Sequence, residues 1–285
     1  MLKVGFLGPE GTFSGKAACQ WLTKIKCNNY SLLPEDNISQ LFKDLMAGQL
    51  QTIIVPVENS TEGAVNATLD LLVSMPDLVV MGEVSLSIEH CLLVAQPLNM
   101  EEILTVYSHP QALAQCYHYI QEQLKNASFQ QTSSTAEAAG IVSQRKGRIA
   151  AISSREAARK YNLIIMARGI QDHQGNKTKF WILTKKEILE GCSIEIPGDF
   201  YKTSIIAALP YNKPGGLYEV LQEFARARID LTRIESRPTK KELGEYLFFI
   251  DFVGKLTEPA VVRVLDKLEQ KTVMLKILGS YPVYI

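Results

Sequence analysis

From Ile38 to Thr61 the hydrophobic period changes once, and this change restricts the fold more than any other stretch. Ile38, Leu41, Phe42, Leu45 and Met46 recur at i, i+3, i+4, i+7 and i+8, the stripe of an amphipathic helix, which Gly48 closes. Thr52-Ile53-Ile54-Val55-Pro56-Val57 then runs apolar without alternation, as a strand covered on both faces does. It leads directly into Glu58-Asn59-Ser60-Thr61. Polar groups at the carboxyl end of such a strand stand where open α/β sheets bind ligands. Capping of a following helix by Ser60 or Thr61 is compatible with that role.

The same alternation extends over residues 1 to about 185. Lys3 to Leu7 forms a strand ended by Gly8-Pro9-Glu10-Gly11-Thr12-Phe13-Ser14, and a helix follows from about Gly15 to Leu22. Glycines at a strand-to-helix turn allow a ligand close to the backbone, and the helix start offers free N–H groups to an anion. A cap by Thr12 or Ser14 is the plainer reading, and the spacing matches neither a P-loop nor a dinucleotide fingerprint. Leu78–Met81 and His90–Val94 are strand-like, with a crossing between lobes expected from Glu83 to Glu89. Ile103–Tyr107 is a further strand, and Ser108-His109-Pro110-Gln111-Ala112-Leu113 opens a helix. His109, held extended by the following proline, suits a positioning or structural role better than that of a base. Ile149–Ile152 and Leu163–Met166 are also strands. A parallel or mixed sheet with helices on both faces follows, in two lobes around a cleft.

After Lys185 the pattern changes. Glu195-Ile196-Pro197-Gly198-Asp199 reads as a linker. Strands at Thr203–Leu209, Leu231–Glu235, Tyr246–Val253 and Met274–Leu278 enclose helices from Pro214 and over Glu258–Glu269, with a turn at Thr239–Gly244. The order is βαββαβ, that of a ferredoxin-like domain. It holds no evident nucleophile or acid–base pair, so binding or regulation is its expected role. The domains expected are 1–185 and 203–280.

Thirty Lys and Arg balance thirty Asp and Glu, so no electrostatic footprint points to nucleic acid or an anionic membrane. No apolar run has the length of a membrane span, and Met1 to Gly8 reads as a first strand rather than a signal peptide. Five cysteines (Cys19, Cys27, Cys91, Cys116, Cys192) lie scattered, and four histidines show no metal-ligand spacing. These features predict a reduced cytoplasmic protein without metal or cofactor.

Two polar clusters stand out. Asn176-Lys177-Thr178-Lys179-Phe180 sets a hydroxyl, cationic charge and an aromatic wall before the apolar run Trp181-Ile182-Leu183. That combination suits a small anion that loses a hydroxyl group; a merely polar turn is the alternative. Thr132-Ser133-Ser134-Thr135 precedes Glu137, so Ser134 and Glu137 form a capping box with hydroxyls to spare, and such a helix start is a ready carboxylate site. Ser153-Ser154-Arg155-Glu156 repeats the box as a cap only.

Five stretches in this order, Gly8–Ser14, Pro56–Ser60, Ser108–Leu113, Ser134-Thr135-Ala136-Glu137-Ala138-Ala139 and Asn176-Lys177-Thr178, resemble prephenate dehydratases along essentially the whole chain. The C-terminal part resembles an ACT domain, with Glu235-Ser236-Arg237-Pro238. The resemblance is to the monofunctional form. It implies a catalytic domain similar to type II periplasmic binding proteins, a ferredoxin-like regulatory domain, and conversion of prephenate to phenylpyruvate, carbon dioxide and water. It makes Thr178 the catalytic residue. Two departures are evident: Lys179 stands where the family usually has arginine, and Gly215-Gly216-Leu217 where it commonly has Gly-Ala-Leu. Lysine keeps the charge and loses the bidentate fork.

On that resemblance Ser133, Ser134 and Thr135 take one substrate carboxylate, Asn176 and Lys179 help with the other, and Phe180 walls the ring. Glu58, Asn59 and Ser60 line the facing lobe. The ACT residues Gly215, Gly216, Leu217, Glu235, Ser236, Arg237 and Pro238 bind L-phenylalanine as end-product effector in a homodimer or homotetramer. Arogenate dehydratase chemistry and a non-catalytic amino-acid sensor remain as alternatives.

Overall fold

The computed structural model describes residues 1–190, 200–210, 214–239 and 245–284. The linker expected at Glu195–Asp199, residues 240–244 of the expected turn, and Cys192 lie outside the described residues.

The first lobe is built from β1 (Leu2–Leu7), α1 (Phe13–Lys24), β2 (Tyr30–Glu35), α2 (Ile38–Met46), β3 (Thr52–Asn59), β4 (Gly63–Ala64), α3 (Asn66–Ser74) and β5 (Leu78–Ser87). The chain then leaves for a second lobe of β6 (Cys91–Val94), β7 (Thr105–Ser108), α4 (Pro110–Gln115), α5 (Tyr117–Gln123), β8 (Ser128–Gln131), α6 (Thr135–Arg145), β9 (Ile149–Ser153), α7 (Arg155–Lys160) and β10 (Ile164–Arg168). It returns through β11 (Lys177–Lys185) and α8 (Lys186–Glu190). The crossings at 88–90 and 169–176 bond to each other, Ile88 N–H to Asn176 O at 2.8 Å and Ile170 N–H to His90 O at 3.2 Å.

Both sheets are mixed. In the first lobe β1 runs parallel to β2 and β3, whereas β11 lies antiparallel between β3 and β5. The second has the order β10-β6-β9-β7-β8. Strand alternation on β11 sends Phe180 and Ile182 into the core with Val4, Phe6, Ala17 and Trp21, against α1. Trp181 and Leu183 face the other way, into the core with Leu41, Phe42 and Leu69, against α2 and α3. β5 is longer than expected. Glu83 interrupts its apolar pattern in sequence, yet it is 1% exposed and paired, so the strand continues to Ser87.

The C-terminal part is β12 (Phe200–Ala208), α9 (Gly216–Ala227), β13 (Leu231–Pro238), β14 (Tyr246–Val253), α10 (Pro259–Lys271) and β15 (Met274–Tyr284). Its order, β13-β14-β12-β15, is that of a βαββαβ sheet. Val220 and Phe224 of α9 and Val261, Val264 and Leu268 of α10 pack on Ile205, Ile250 and Phe252. β15 overshoots this unit and pairs in parallel with β5, Val283 opposite Glu83 and Tyr284 opposite Val84, so one sheet runs through both parts. A Cβ at Gly279 would sit 2.2 Å from Val80 O, so only glycine allows the strands to cross this closely. The continuous sheet has no counterpart in the expectations drawn from sequence.

Candidate active site

A cavity of about 940 Å³ lies between the lobes. The first lobe contributes the β1–α1 turn (Gly8, Pro9, Thr12, Phe13, Ser14), the start of α2, and Pro56, Asn59, Ala67, Thr178 and Phe180; the second contributes His109, Gln111, Ala112, Gln115, Ser133, Ser134 and Thr135; Ile88 and His90 come from a crossing.

Cross-strand register explains the arrangement. Thr178 is opposite Asn59, and Lys179 opposite Glu58. Successive residues point to opposite faces. Thr178 and Phe180 therefore line the cavity, whereas Lys179 and Glu58 do not and bond to each other at 2.7 Å. Ser60 and Asn176 also stand outside the lining, behind Asn59 and Thr178.

Asn59 holds the centre of a buried polar cluster. Its Oδ1 accepts the backbone N–H groups of Thr61 (3.0 Å) and Glu62 (3.2 Å), which fixes the amide orientation. Nδ2 consequently donates to Thr178 Oγ1 at 2.8 Å and to Asn176 Oδ1 at 2.9 Å. Ser60 Oγ donates to Asn176 Oδ1 as well, at 3.1 Å. With an acceptor role imposed on it, Thr178 Oγ1 keeps its own proton for a partner in the cavity.

From the second lobe, Gln115 reaches across. Its Nε2 donates to Thr61 Oγ1 at 3.2 Å, and its Oε1 receives Asn176 Nδ2 at 3.4 Å and lies 3.1 Å from His90 Nε2. Since that oxygen only accepts, His90 carries its proton on Nε2. His90 is 3% exposed and its Nδ1 has no partner; burial lowers its pKa, so the ring is neutral. Sequence reasoning passed over both residues: the motif at Ser108–Leu113 stops short of Gln115, and His90 read as packing. His109 caps α4, its Nδ1 accepting Gln111 N–H at 3.3 Å, the structural role expected of it.

At the start of α6, Ser134 Oγ accepts Glu137 N–H at 3.0 Å as expected. Glu137 reaches one residue further back than a capping box requires, accepting Ser133 N–H at 2.7 Å and Ser133 Oγ–H at 2.6 Å. These bonds lower its pKa and hold it ionised. Gly11 carries a positive φ of 91° and packs on Ala157, and Ser154 Oγ donates to Gly11 O at 2.9 Å. Of the two glycines expected to let a ligand approach, Gly8 lines the cavity, whereas Gly11 packs against the second lobe.

In the C-terminal part, Gly215 adopts a left-handed φ of 85° ahead of α9, a conformation suited to glycine. Arg237 leaves its own domain: it donates to Asn66 Oδ1 at 2.6 Å and Asp70 Oδ1 at 2.8 Å on α3. Among the described residues no group of three or more His, Cys, Asp or Glu is placed to hold a metal ion.

The family model for prephenate dehydratase matches residues 4–188, and that for the ACT domain matches residues 203–270. The chain belongs to the prephenate dehydratase family. It is thus a lyase acting in the decarboxylating dehydration of prephenate, with an ACT domain fused behind. It is 42% identical over 281 residues to the bifunctional chorismate mutase/prephenate dehydratase of Pseudomonas aeruginosa, covering 99% of this chain and 73% of that one. With the prephenate dehydratase of Methanocaldococcus jannaschii it shares 40% identity over 277 residues, covering 97% and 96%. The crystal structure of the Arthrobacter aurescens prephenate dehydratase in complex with L-Phe superposes with a TM-score of 0.85 at 30% identity, covering 99% of this chain and 90% of that one.

Proposed function

We propose that prephenate binds in the cavity between the lobes and that Thr178 donates the hydrogen bond on which its hydroxyl departs. The observation that carries this reading is the imposed acceptor role of Thr178 Oγ1, which directs its proton away from Asn59. In the reaction the bond from the ring to its carboxylate breaks and carbon dioxide leaves. The electron pair moves through the ring, the carbon–oxygen bond at the far side breaks, and hydroxide departs as water with one proton taken up. Aromatisation supplies the driving force. An alcohol is a feeble acid, so Thr178 acts chiefly as a fixed dipole aimed at the oxygen where negative charge grows. A hydroxyl that already accepts from an amide N–H is also a stronger donor. Phe180 is the apolar wall beside it.

The ACT domain supports a regulatory reading. The Arthrobacter relative was solved with L-Phe, and here Arg237 of the Glu235-Ser236-Arg237-Pro238 segment joins that domain to α3, whose Ala67 lines the cavity. An L-phenylalanine site around Gly215, Gly216, Leu217 and Glu235–Pro238 would reach the catalytic lobes along this contact. β13 ends the sheet with Ile234 exposed, an edge suited to a second copy in a homodimer or homotetramer. Cys19, Cys27, Cys91 and Cys116 are free thiols, which fits the cytoplasm, and no helix among the described residues is long and apolar enough to cross a membrane.

Turnover of prephenate, followed by phenylpyruvate release with arogenate in parallel, tests the reading. Prephenate is the expected preferred substrate, and Thr178→Ala is expected to lose about 10²–10⁴-fold in kcat. Preference for arogenate, or full activity in Thr178→Ala, would overturn it.

A further inference from the structure

A substrate with two carboxylates enters a cavity whose described lining contains no lysine or arginine side chain. Helix N-termini are the positive ends that remain. α6 carries Glu137 in its first turn, and that carboxylate already takes the Ser133 N–H and hydroxyl. An anion arriving there meets a like charge. At α2 the preceding Asp36 sets another carboxylate in the lining. α1 runs for twelve residues with no acidic residue in its first turn. α3, whose Ala67 reaches the lining, shares that lack, but its Thr68 hydroxyl is committed to Pro56 O at 2.7 Å. Its cap is Thr12, whose Oγ1 accepts Gly15 N–H at 3.3 Å and donates to Leu7 O at 2.9 Å. The N–H groups of Phe13 and Ser14 lie in the first turn, where a helix supplies no partner. Ser14 is 5% exposed, its side chain lies in the cavity wall, and its hydroxyl has no hydrogen-bonding partner among the described residues.

We infer that the N-terminus of α1, with the Ser14 hydroxyl, receives the side-chain carboxylate of prephenate, the one that phenylpyruvate retains. This rests on prephenate being the substrate. The choice between the carboxylates follows from the chemistry. The ring carboxylate loses its charge as carbon dioxide forms, so donors aimed at it stabilise the ground state more than the transition state and slow the step. Donors on the retained carboxylate hold it equally in both and act as an anchor. Ser14 is thus a binding residue that sets affinity for the oxo-acid end.

The experiment measures direct binding of phenylpyruvate and of phenylacetone, the same skeleton without a carboxylate, to wild type, Ser14→Ala and Thr135→Ala, alongside prephenate kinetics. Alanine is a good helix former, so Ser14→Ala is expected to fold. Ser14→Ala should raise the phenylpyruvate Kd about tenfold or more, as loss of a hydrogen bond to a charged group does, and leave phenylacetone within about twofold. Prephenate KM should rise in step with phenylpyruvate Kd, with kcat falling less. Equal weakening of both probes, no change in either, or a loss carried by Thr135→Ala and absent from Ser14→Ala would each overturn the assignment. Failure of the wild type to turn over prephenate is read separately, as a failure of the substrate.

Discussion

Asn59 Nδ2 donates to Thr178 Oγ1 at 2.8 Å across paired strands, and two backbone N–H groups on Asn59 Oδ1 prevent the amide from turning round. The threonine is thereby assigned its role by a neighbour. Asn59→Asp keeps the shape and removes the donor. The Thr178 proton then turns to the new carboxylate, away from substrate. We expect kcat to fall about 10²-fold, comparable to loss of a donor at a developing oxyanion, with KM changed far less. Steady-state kinetics check this, and full kcat in the variant would break the link.

Lys179 gives a contrasting outcome. Its partner Glu58 lies 2.7 Å away on the face turned from the cavity, and both side chains are 28% exposed. Such a pair contributes about 0–1 kcal/mol. Lys179→Ala should therefore leave prephenate KM within about twofold and lower stability by at most about 1 kcal/mol, read by kinetics and urea denaturation. A large rise in KM would return the lysine to the substrate.

These two positions show what a sequence reveals and what it conceals. The α/β alternation, the βαββαβ order and the caps at Ser134 and Ser154 were legible, because periodicity and capping are local properties. Thr178, Asn59 and Phe180 were legible as a polar strand end beside an aromatic. The face each residue takes was not, since it depends on the register of β11 against β3, which includes a bulge between Lys179 and Phe180. Gln115 and His90 carry no local signature; a facing lobe and a crossing bring them to the cavity. The seam between β15 and β5 pairs residues 200 positions apart, and only Gly279, set against Val80, marks it.

His90 supplies a pH dependence. Burial lowers its pKa, so the folded protein keeps the ring neutral while the unfolded chain titrates near the usual value of about 6.5. The folded state binds fewer protons, so this contribution to stability is complete above about pH 6.5 and is lost as pH falls toward the depressed folded value. His90→Gln can retain a donor toward Gln115 Oε1 without titrating. Denaturation midpoints at pH 7.5, 6.5 and 5.5 (values chosen to bracket the window) should fall less steeply below about pH 6.5 in the variant than in wild type. Equal slopes would refute the assignment.

At the seam the C-terminal domain touches the catalytic strand through buried charge. Lys202 Nζ lies 2.7 Å from Glu83 Oε1, the two side chains being 6% and 1% exposed, and Trp181 Nε1 donates to the other oxygen of Glu83 at 3.2 Å. The Arg233 guanidinium stacks 4.9 Å from the centre of the Trp181 ring, and its Nε lies 2.8 Å from Asp251 Oδ2. Tyr281 meets the same indole edge-on at 6.3 Å. A buried pair adds little net stability over an apolar replacement, because desolvation offsets the attraction, but removal of one partner strands the other charge. Lys202→Met should therefore cost about 3–5 kcal/mol. Adding Glu83→Gln, whose side-chain oxygen can still accept from Trp181, should restore much of that loss. Urea denaturation of the two single variants and the double variant gives the coupling directly. Additive losses would show that the pair is not electrostatically linked, whereas recovery in the double variant would locate the cost in the stranded carboxylate.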